Sequence, residues 1–155
     1  MSTRLKAGDP APDFAAPATD GAVLRLAGFR GRKLVLYFYP MDDTPGCTKQ
    51  ACSLRDSNAE IAAKGAAILG VSAQGPESHQ RFTEKFSLNF PLLADTDLAV
   101  AKAYGVAGSG LGGLLRSVVG VSERVTFIID EKGRISHVID DPNCPDHGAE
   151  VLAAL

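Results

Sequence analysis

The run KLVLYFY, residues 33–39, constrains the fold of this chain more than any other feature of the sequence. Its apolar, aromatic and β-branched residues follow one another without polar alternation, which predicts a strand that is buried on both faces. The run AAILGVSA, residues 66–73, repeats the pattern. Because both faces of such strands must be covered, the sequence predicts a mainly parallel sheet with helices packed on each side.

Helical patterns alternate with these strands. After Thr44, the apolar residues Ala51, Leu54 and Ile61 recur at helical spacing, and Gly65 is suited to end that helix. Five further elements are predicted, in the order helix, short strand, helix, antiparallel hairpin and helix, at residues 76–86, 90–95, 96–105, 124–140 and 145–155. An alternating stretch at 22–29 predicts an edge or hairpin strand. The whole chain, residues 1–155, is therefore predicted to form a single α/β domain.

The composition argues against several function classes. The chain has 155 residues, a net charge of −2 and no Lys/Arg-rich run, so it offers no large basic field for nucleic acid. Its apolar runs are too short to cross a bilayer, and the opening MSTRLKAGDPAPDF has no stretch of signal-peptide length. We therefore expect no membrane association and a cytoplasmic location, where thiols stay reduced unless they have redox work to do.

One of the three cysteines lies where a helix is predicted to begin. In TPGC, Thr44 is a plausible N-cap, Pro45 suits the first helical position and Cys47 falls within the first turn. The unpaired N–H groups and the helix dipole there favour a thiolate, which is the nucleophilic form of cysteine. The same N–H groups are able to hold an incoming oxygen. The alternative interpretation is that Cys47 only fills space behind the turn.

A second cysteine, Cys52, follows five residues later. In an intact α-helix this spacing puts the two Cα atoms about 8–9 Å apart on different faces, beyond the usual disulfide range of about 4.4–6.8 Å. A disulfide between Cys47 and Cys52 therefore requires the first turns of the helix to unwind. The alternative is that Cys52 is a core residue that never reacts.

These residues carry a resemblance to a known family. The segment YFYPMDDTPGCTKQACSLRD, residues 37–56, resembles the active-site segment of the peroxiredoxins, in particular the bacterioferritin comigratory protein or peroxiredoxin Q branch. The family pattern Pro-x-x-x-Thr-x-x-Cys is matched by Pro40, Thr44 and Cys47, and the branch commonly has a second cysteine at the position of Cys52. GDPAPDF, FPLLADTDLAVAKAYGV and RVTFIIDEKGRI are similar to other family segments. The resemblance implies a thioredoxin-like fold with a central mixed sheet flanked by helices on both faces.

The resemblance also implies a role for each matched residue. Cys47 would attack a hydroperoxide and become a sulfenic acid, and Cys52 would resolve that acid as an intramolecular disulfide. Thr44 would hydrogen-bond the thiolate and the peroxide, and Pro40 would shield the pocket from water. Arg124, just before VTFIID, would stabilise the thiolate and orient the substrate, although an isolated arginine at a strand edge is more often a surface charge.

The implied activity is that of a thiol peroxidase acting on hydrogen peroxide and organic hydroperoxides. A thioredoxin-like dithiol would reduce the disulfide by exchange, and neither a metal nor an organic cofactor would be needed. The branch is often monomeric, which favours a monomer. Two other functions stay open: a dithiol oxidoreductase acting on protein disulfides, which usually has Cys-x-x-Cys, and a zinc-binding or redox-sensing module.

Four further features are left without an assigned role. Cys144 is expected to be a bystander in an exposed terminal loop, with a second resolving thiol and an intermolecular contact as alternatives. A zinc site of Cys47, Cys52, Cys144 and His147 can be written, but this spacing is a weak metal signal. The glycine-rich segment GSGLGG, residues 108–113, is not expected to bind phosphate, since it follows a helix and lacks a Lys-Ser/Thr ending. His79 and His137 are expected at the surface.

Overall fold

The strands of the molecule form one main sheet and one small hairpin. The computed structural model describes residues 3–107 and 122–155. The strands are β1 (Ala15–Pro17), β2 (Val23–Arg25), β3 (Lys33–Phe38), β4 (Ala66–Ser72), β5 (Leu92–Ala94), β6 (Val125–Ile129) and β7 (Ile135–Asp140). The main sheet has the order β5-β4-β3-β6-β7, and β1 pairs with β2 in the hairpin. β3, β4 and β5 run parallel, whereas β6 and β7 pair antiparallel, so the predicted late hairpin is confirmed.

The central strand β3 is buried on both faces, as its sequence predicts. Alternate side chains point to opposite sides of the sheet because the side-chain period of a strand is two. Leu34, Leu36 and Phe38 join one hydrophobic cluster, and Val35 and Tyr37 join the other. The sheet therefore separates two cores, which is the arrangement that requires helices on both faces.

The helices divide between these two cores. They are α1 (Pro45–Ala63), α2 (Pro76–Phe86), α3 (Ala99–Ala103) and α4 (His147–Ala154), with short 3₁₀ helices at Leu26–Phe29 and Cys144–Asp146. Apolar residues of α1, α2 and α4 belong to the core that contains Tyr37, whereas those of α3 belong to the core that contains Phe38. The predicted α/β class, with helices on both faces of a mixed sheet, is confirmed. Among the described residues, no helix is both long and apolar enough to span a bilayer.

Two predicted elements differ in extent from the structure. The strand expected at 22–29 ends at Arg25, and a 3₁₀ helix takes its place because this turn brings Leu26 and Phe29 into the core together. The C-terminal helix expected from 145 begins as the 3₁₀ turn Cys144–Asp146 and becomes α-helical at His147. The segment GSGLGG lies outside the described residues.

Candidate active site

The chain leaves β3 and enters α1 through a short loop that places Cys47 in the first helical turn. Thr44 is the N-cap residue, with extended backbone angles, and Pro45 follows at the first helical position. Both positions are those that the sequence predicts. The Thr44 hydroxyl makes no capping bond, and it donates instead to the Met41 carbonyl at 2.8 Å. Cys47 is 1% exposed, so its sulfur lies at the inner side of this turn.

A positive charge reaches the sulfur from a distant part of the chain. Because β6 pairs antiparallel with β3 and Val125 lies opposite Phe38, the preceding residue Arg124 is brought to the end of β3 where α1 begins. Arg124 Nη2 donates to Cys47 Sγ at 3.3 Å. The structure thus brings together the cysteine and the arginine that the resemblance pairs.

Gln50 is a site residue that the sequence reasoning missed. Its Oε1 accepts a hydrogen bond from Arg124 Nη1 at 2.6 Å, and the side chain is fully buried. Gln50 Nε2 has no hydrogen-bond partner among the described residues. The available signal was its position three residues after Cys47, which puts both side chains on one face of α1. Gln50 therefore holds the guanidinium in place against the sulfur.

Cys144 also lies at this turn, contrary to its expected place in an exposed terminal loop. The residue is half-buried, and its sulfur approaches Gly46. A Cβ atom built on Gly46 would lie 3.2 Å from Arg124 Nη2 and 3.9 Å from Cys144 Sγ. The glycine therefore lets the arginine approach the backbone of the first helical turn, and Cys144 Sγ lies beside the same position.

The other two matched residues, Cys52 and Pro40, lie nearby without contacting the sulfur through any hydrogen bond that the structure records. Cys52 is half-buried on α1, and the helix is continuous from Pro45 to Ala63, so the five-residue spacing keeps the two thiols apart. Pro40 is half-buried, and its carbonyl accepts hydrogen bonds from Ser72 Oγ at 3.3 Å and Gln74 Nε2 at 3.4 Å. Their expected roles stay predictions.

A buried polar network fixes the loop between β3 and α1 to α2. Asp42 accepts hydrogen bonds from Tyr39 Oη at 2.6 Å and Ser78 Oγ at 2.8 Å, and its Oδ2 lies 2.7 Å from His79 Nδ1. The expected surface position of His79 is wrong, because its side chain is fully buried and its Nε2 lies 2.8 Å from the Leu93 carbonyl oxygen. His137 is exposed, as expected. Sequence periodicity could not reveal the network, since its members come from three separate elements.

The hydrogen bonds of this network determine the charge of the carboxylate. Burial raises the pKa of Asp42. The hydrogen bond and charge of His79, together with the hydrogen bonds from Tyr39 and Ser78, lower it by more, so the net pKa lies below its ordinary value. Burial raises the pKa of Tyr39 well above its ordinary value, so the phenol stays a donor. The loop is therefore anchored by an ionised, fully hydrogen-bonded aspartate.

A second buried histidine lies on the other side of the first turn of α1. His147 Nε2 lies 2.8 Å from Thr126 Oγ1, and its Nδ1 lies 2.9 Å from Glu150 Oε1. Both ring nitrogens are thus occupied by protein groups. Among residues 3–107 and 122–155, no group of three or more His, Cys, Asp or Glu side chains is placed to hold a metal ion. The zinc set that includes Cys47, Cys144 and His147 is not assembled.

Comparison with known proteins decides which family this site represents. The AhpC/TSA family profile matches residues 7–138. The chain is 43% identical over 152 residues to peroxiredoxin Bcp of Escherichia coli K12, and the aligned region covers 96% of this chain and 94% of the relative. The chain belongs to the AhpC/TSA family. It is a peroxiredoxin with peroxidase activity, and its relatives are of the Bcp/PrxQ type.

Solved structures of peroxiredoxins share the fold over nearly the whole length of the chain. Peroxidoxin BcpB from Mycobacterium tuberculosis superposes with a TM-score of 0.84 at 34% identity, covering 97% of this chain and 96% of that one. The bacterioferritin comigratory protein of Xanthomonas campestris, whose structures are described as giving insight into alkyl peroxide reduction, has a TM-score of 0.84 at 31% identity, covering 96% of each chain. This peroxiredoxin therefore has the thioredoxin-like fold that the resemblance implies.

Proposed function

We propose that Cys47 of this peroxiredoxin is the peroxidatic cysteine and reduces hydrogen peroxide and organic hydroperoxides by direct attack. The observation that carries the proposal is the hydrogen bond from Arg124 Nη2 to Cys47 Sγ in the first turn of α1. A sulfur at that place has a positive charge beside it and unpaired helix N–H groups around it. A neighbouring cation and a helix N-terminus are the surroundings in which cysteines act as nucleophiles.

In the first step the Cys47 thiolate attacks the terminal oxygen of the hydroperoxide along the O–O axis. The S–O bond forms as the O–O bond breaks, and the leaving hydroxide or alkoxide is protonated to water or an alcohol. Arg124 stays charged and presents several donors in one plane, so it stabilises the negative charge that develops on the oxygens. For the role expected of Thr44, its hydroxyl has to turn from the Met41 carbonyl towards the sulfur. Pro40 limits the access of water.

In the second step Cys52 resolves the Cys47 sulfenic acid as an intramolecular disulfide, with release of water. Since both residues lie in the continuous helix α1, the first turns of α1 must unwind before the sulfurs meet. Helix ends are regions of low local stability, where such opening has the smallest cost. A thioredoxin-like dithiol in the cytoplasm then reduces the exposed disulfide, and the enzyme works as a monomer.

The nucleophile assignment is tested with the variants Cys47→Ser and Cys52→Ser/Cys144→Ser. Cys47→Ser should abolish peroxide consumption, whereas the double variant, which keeps Cys47 as its only cysteine, should react once and lose thioredoxin-dependent turnover. Peroxide consumption and trapping of the sulfenic acid with dimedone are the measurements. Retained turnover in Cys47→Ser removes the assignment.

The role of the arginine is tested with Arg124→Ala, for which Arg134→Ala is the control. Arg134 is exposed and donates to the Gly8 carbonyl, away from the sulfur. Stopped-flow measurement of the reaction with peroxide should show a loss of about 10²- to 10³-fold for Arg124→Ala, the range for removal of one donor from developing charge. A rate constant equal to that of the control shows that Arg124 has no part in the attack.

A further inference from the structure

The third thiol, Cys144, is held at the first turn of α1 by the packing of α4 against that helix. The Gly148 N–H, near the start of α4, donates to Ser53 Oγ on α1 at 2.9 Å. A Cβ atom on Gly148 would collide with Ser57 Oγ and lie 2.7 Å from the Ser53 carbonyl oxygen. The backbone of α4 at Gly148 therefore packs directly against Ser53 and Ser57 of α1. The 3₁₀ turn Cys144–Asp146 directly precedes α4, so the packing of α4 holds this turn against α1.

The guanidinium of Arg124 lies near the sulfurs of both Cys47 and Cys144. Arg124 Nη2 donates to Cys47 Sγ at 3.3 Å, and at Gly46 the Nη2 atom and Cys144 Sγ both lie within van der Waals reach of one missing side chain. The pKa of Cys144 is raised by burial, lowered by the charge of Arg124 and raised by the charge of Cys47. Two thiols that are far apart in the sequence thus lie near one arginine.

We propose that Cys144 is a second resolving thiol, which forms a disulfide with Cys47 while α1 stays helical. The proposal rests on the function proposed above for Cys47. Cys52 is fixed to the same helix as Cys47 and reaches it only when that helix unwinds. Cys144 belongs to a separate 3₁₀ turn whose sulfur lies beside Gly46, so it approaches Cys47 by movement of this turn and not by unwinding of α1.

The chemistry balances with the peroxide as the only oxidant. Peroxide takes two electrons from Cys47, which becomes the sulfenic acid. The Cys144 thiolate then attacks the Cys47 sulfur, the S–S bond forms and the S–O bond breaks. The hydroxide that leaves takes up the proton that Cys144 released, and the product is water. The two thiols have then given up two electrons in all, and a dithiol returns them by exchange.

The charges around Cys144 favour this order of events. Burial raises the pKa of Cys144, Arg124 lowers it, and the negative charges of Cys47, Glu150 and Asp141 raise it, so that the net pKa lies above its ordinary value while Cys47 is a thiolate. When Cys47 becomes a neutral sulfenic acid, its contribution disappears and the guanidinium loses its thiolate partner. The balance then moves towards the Cys144 thiolate. Oxidation of Cys47 thus activates the thiol that lies beside it.

The test compares Cys52→Ser with Cys52→Ser/Cys144→Ser. Each reduced, full-length variant receives one equivalent of hydrogen peroxide and then dimedone, and peptides are mapped by mass spectrometry without reduction. We expect a Cys47–Cys144 disulfide in Cys52→Ser and about tenfold less dimedone adduct on Cys47 than in the double variant, because resolution removes the sulfenic acid. Far-ultraviolet circular dichroism should show that this oxidation leaves the helix content unchanged. The double variant Cys52→Ser/Cys144→Ala should give the same yield of dimedone adduct as Cys52→Ser/Cys144→Ser.

Three results overturn the proposal. The first is an equal yield of dimedone adduct in the two variants. The second is a Cys144 disulfide that joins two molecules, seen as a dimer whose yield rises with protein concentration. The third is a Cys47–Cys144 disulfide that forms only with loss of helical signal. If instead Cys47 is unmodified in the unsubstituted protein and in all variants, the function proposed for Cys47 itself has failed.

Discussion

Two buried histidines lie on opposite sides of the active-site helix and are held in different ways. His79, on α2, contacts the Asp42 carboxylate and the Leu93 carbonyl. His147, at the start of α4, contacts the Thr126 hydroxyl and the Glu150 carboxylate. Both side chains are fully buried. The difference lies in the partner of Nε2, which is a carbonyl in one case and a hydroxyl in the other.

That difference determines how many protons each ring needs. A carbonyl and a carboxylate only accept hydrogen bonds, so both nitrogens of His79 must donate, and the ring forms a buried ion pair with Asp42. The Thr126 hydroxyl is able to donate to His147, whose ring then needs a single proton. Burial lowers the pKa of His147, which favours this neutral form, although Glu150 opposes the shift. The α2 side of the site is therefore anchored by a buried ion pair and the α4 side by the hydrogen bonds of a neutral ring.

The largest predicted effect comes from removing the buried charge. Asp42→Asn leaves His79 without its anionic partner, and breaking a buried pair in this way costs about 3–5 kcal/mol. Asp43→Asn is the matched control, since Asp43 is the next residue and its ion pair with Lys85 is exposed. The control should lose less than about 1 kcal/mol. Urea unfolding at pH 7 measures both, and equal losses would mean that the buried pair is not the anchor.

The next largest effect concerns the packing of α4. In Gly148→Ala, the added methyl group meets Ser57 Oγ and the Ser53 carbonyl of α1, and the forced separation should cost about 1–3 kcal/mol. Gly28→Ala is the control, because a Cβ atom there meets nothing within 4 Å. The free energies of unfolding of both variants decide the matter. A fully stable Gly148→Ala protein would contradict the close contact between α1 and α4.

The sequence predicts the parts of this site that are local and misses those that depend on packing. The run at 33–39 and the cap residue Thr44 are local patterns, so β3, the start of α1 and the place of Cys47 could be read from them. The contact between Cys47 and Arg124 was expected from family resemblance alone, since it depends on the register between β3 and β6. Nothing in the local sequence shows which loops meet.

The surface position expected of His79 and the exposed loop expected for Cys144 are wrong because both depend on distant contacts. A histidine without a known partner is expected at the surface, and a terminal loop is commonly exposed. The partner of His79 is 37 residues away, and Cys144 meets Gly46 across most of the chain. Both partners become visible only when the elements are packed.

A smaller effect is predicted for acid stability. A group with a lowered folded pKa adds stability above its unfolded pKa, and this stability is lost as pH falls towards the folded value. For His147 the loss begins near its ordinary pKa of 6.5, and for Asp42 it begins only near 3.8. Each group contributes a slope of at most about 1.4 kcal/mol per pH unit. The α4 side should therefore weaken first on acidification.

This order is measured by urea unfolding between pH 7.5 and 3. In His147→Gln the slope just below pH 6.5 should become flatter than in the unsubstituted protein. His137→Gln is the control, because His137 is exposed and belongs to neither network. If His147→Gln leaves the slope unchanged, His147 is not neutral in the folded protein.

The smallest effect is predicted for a single neutral hydrogen bond on the α4 side. Ser53→Ala removes the acceptor of the Gly148 N–H, and such a bond contributes about 0.5–1.5 kcal/mol. The amide of Gly148 lies in the first turn of α4, where N–H groups have no partner within the helix, so no second acceptor is at hand. Its hydrogen exchange should therefore become faster. Ser136→Ala is the control, because the bond that it removes joins β7 to the Ile128 carbonyl on β6 and does not involve α4. The hydrogen exchange of Gly148 should not change in this variant. Unchanged exchange in Ser53→Ala would show that packing alone, without this bond, holds the turn of Cys144 against α1.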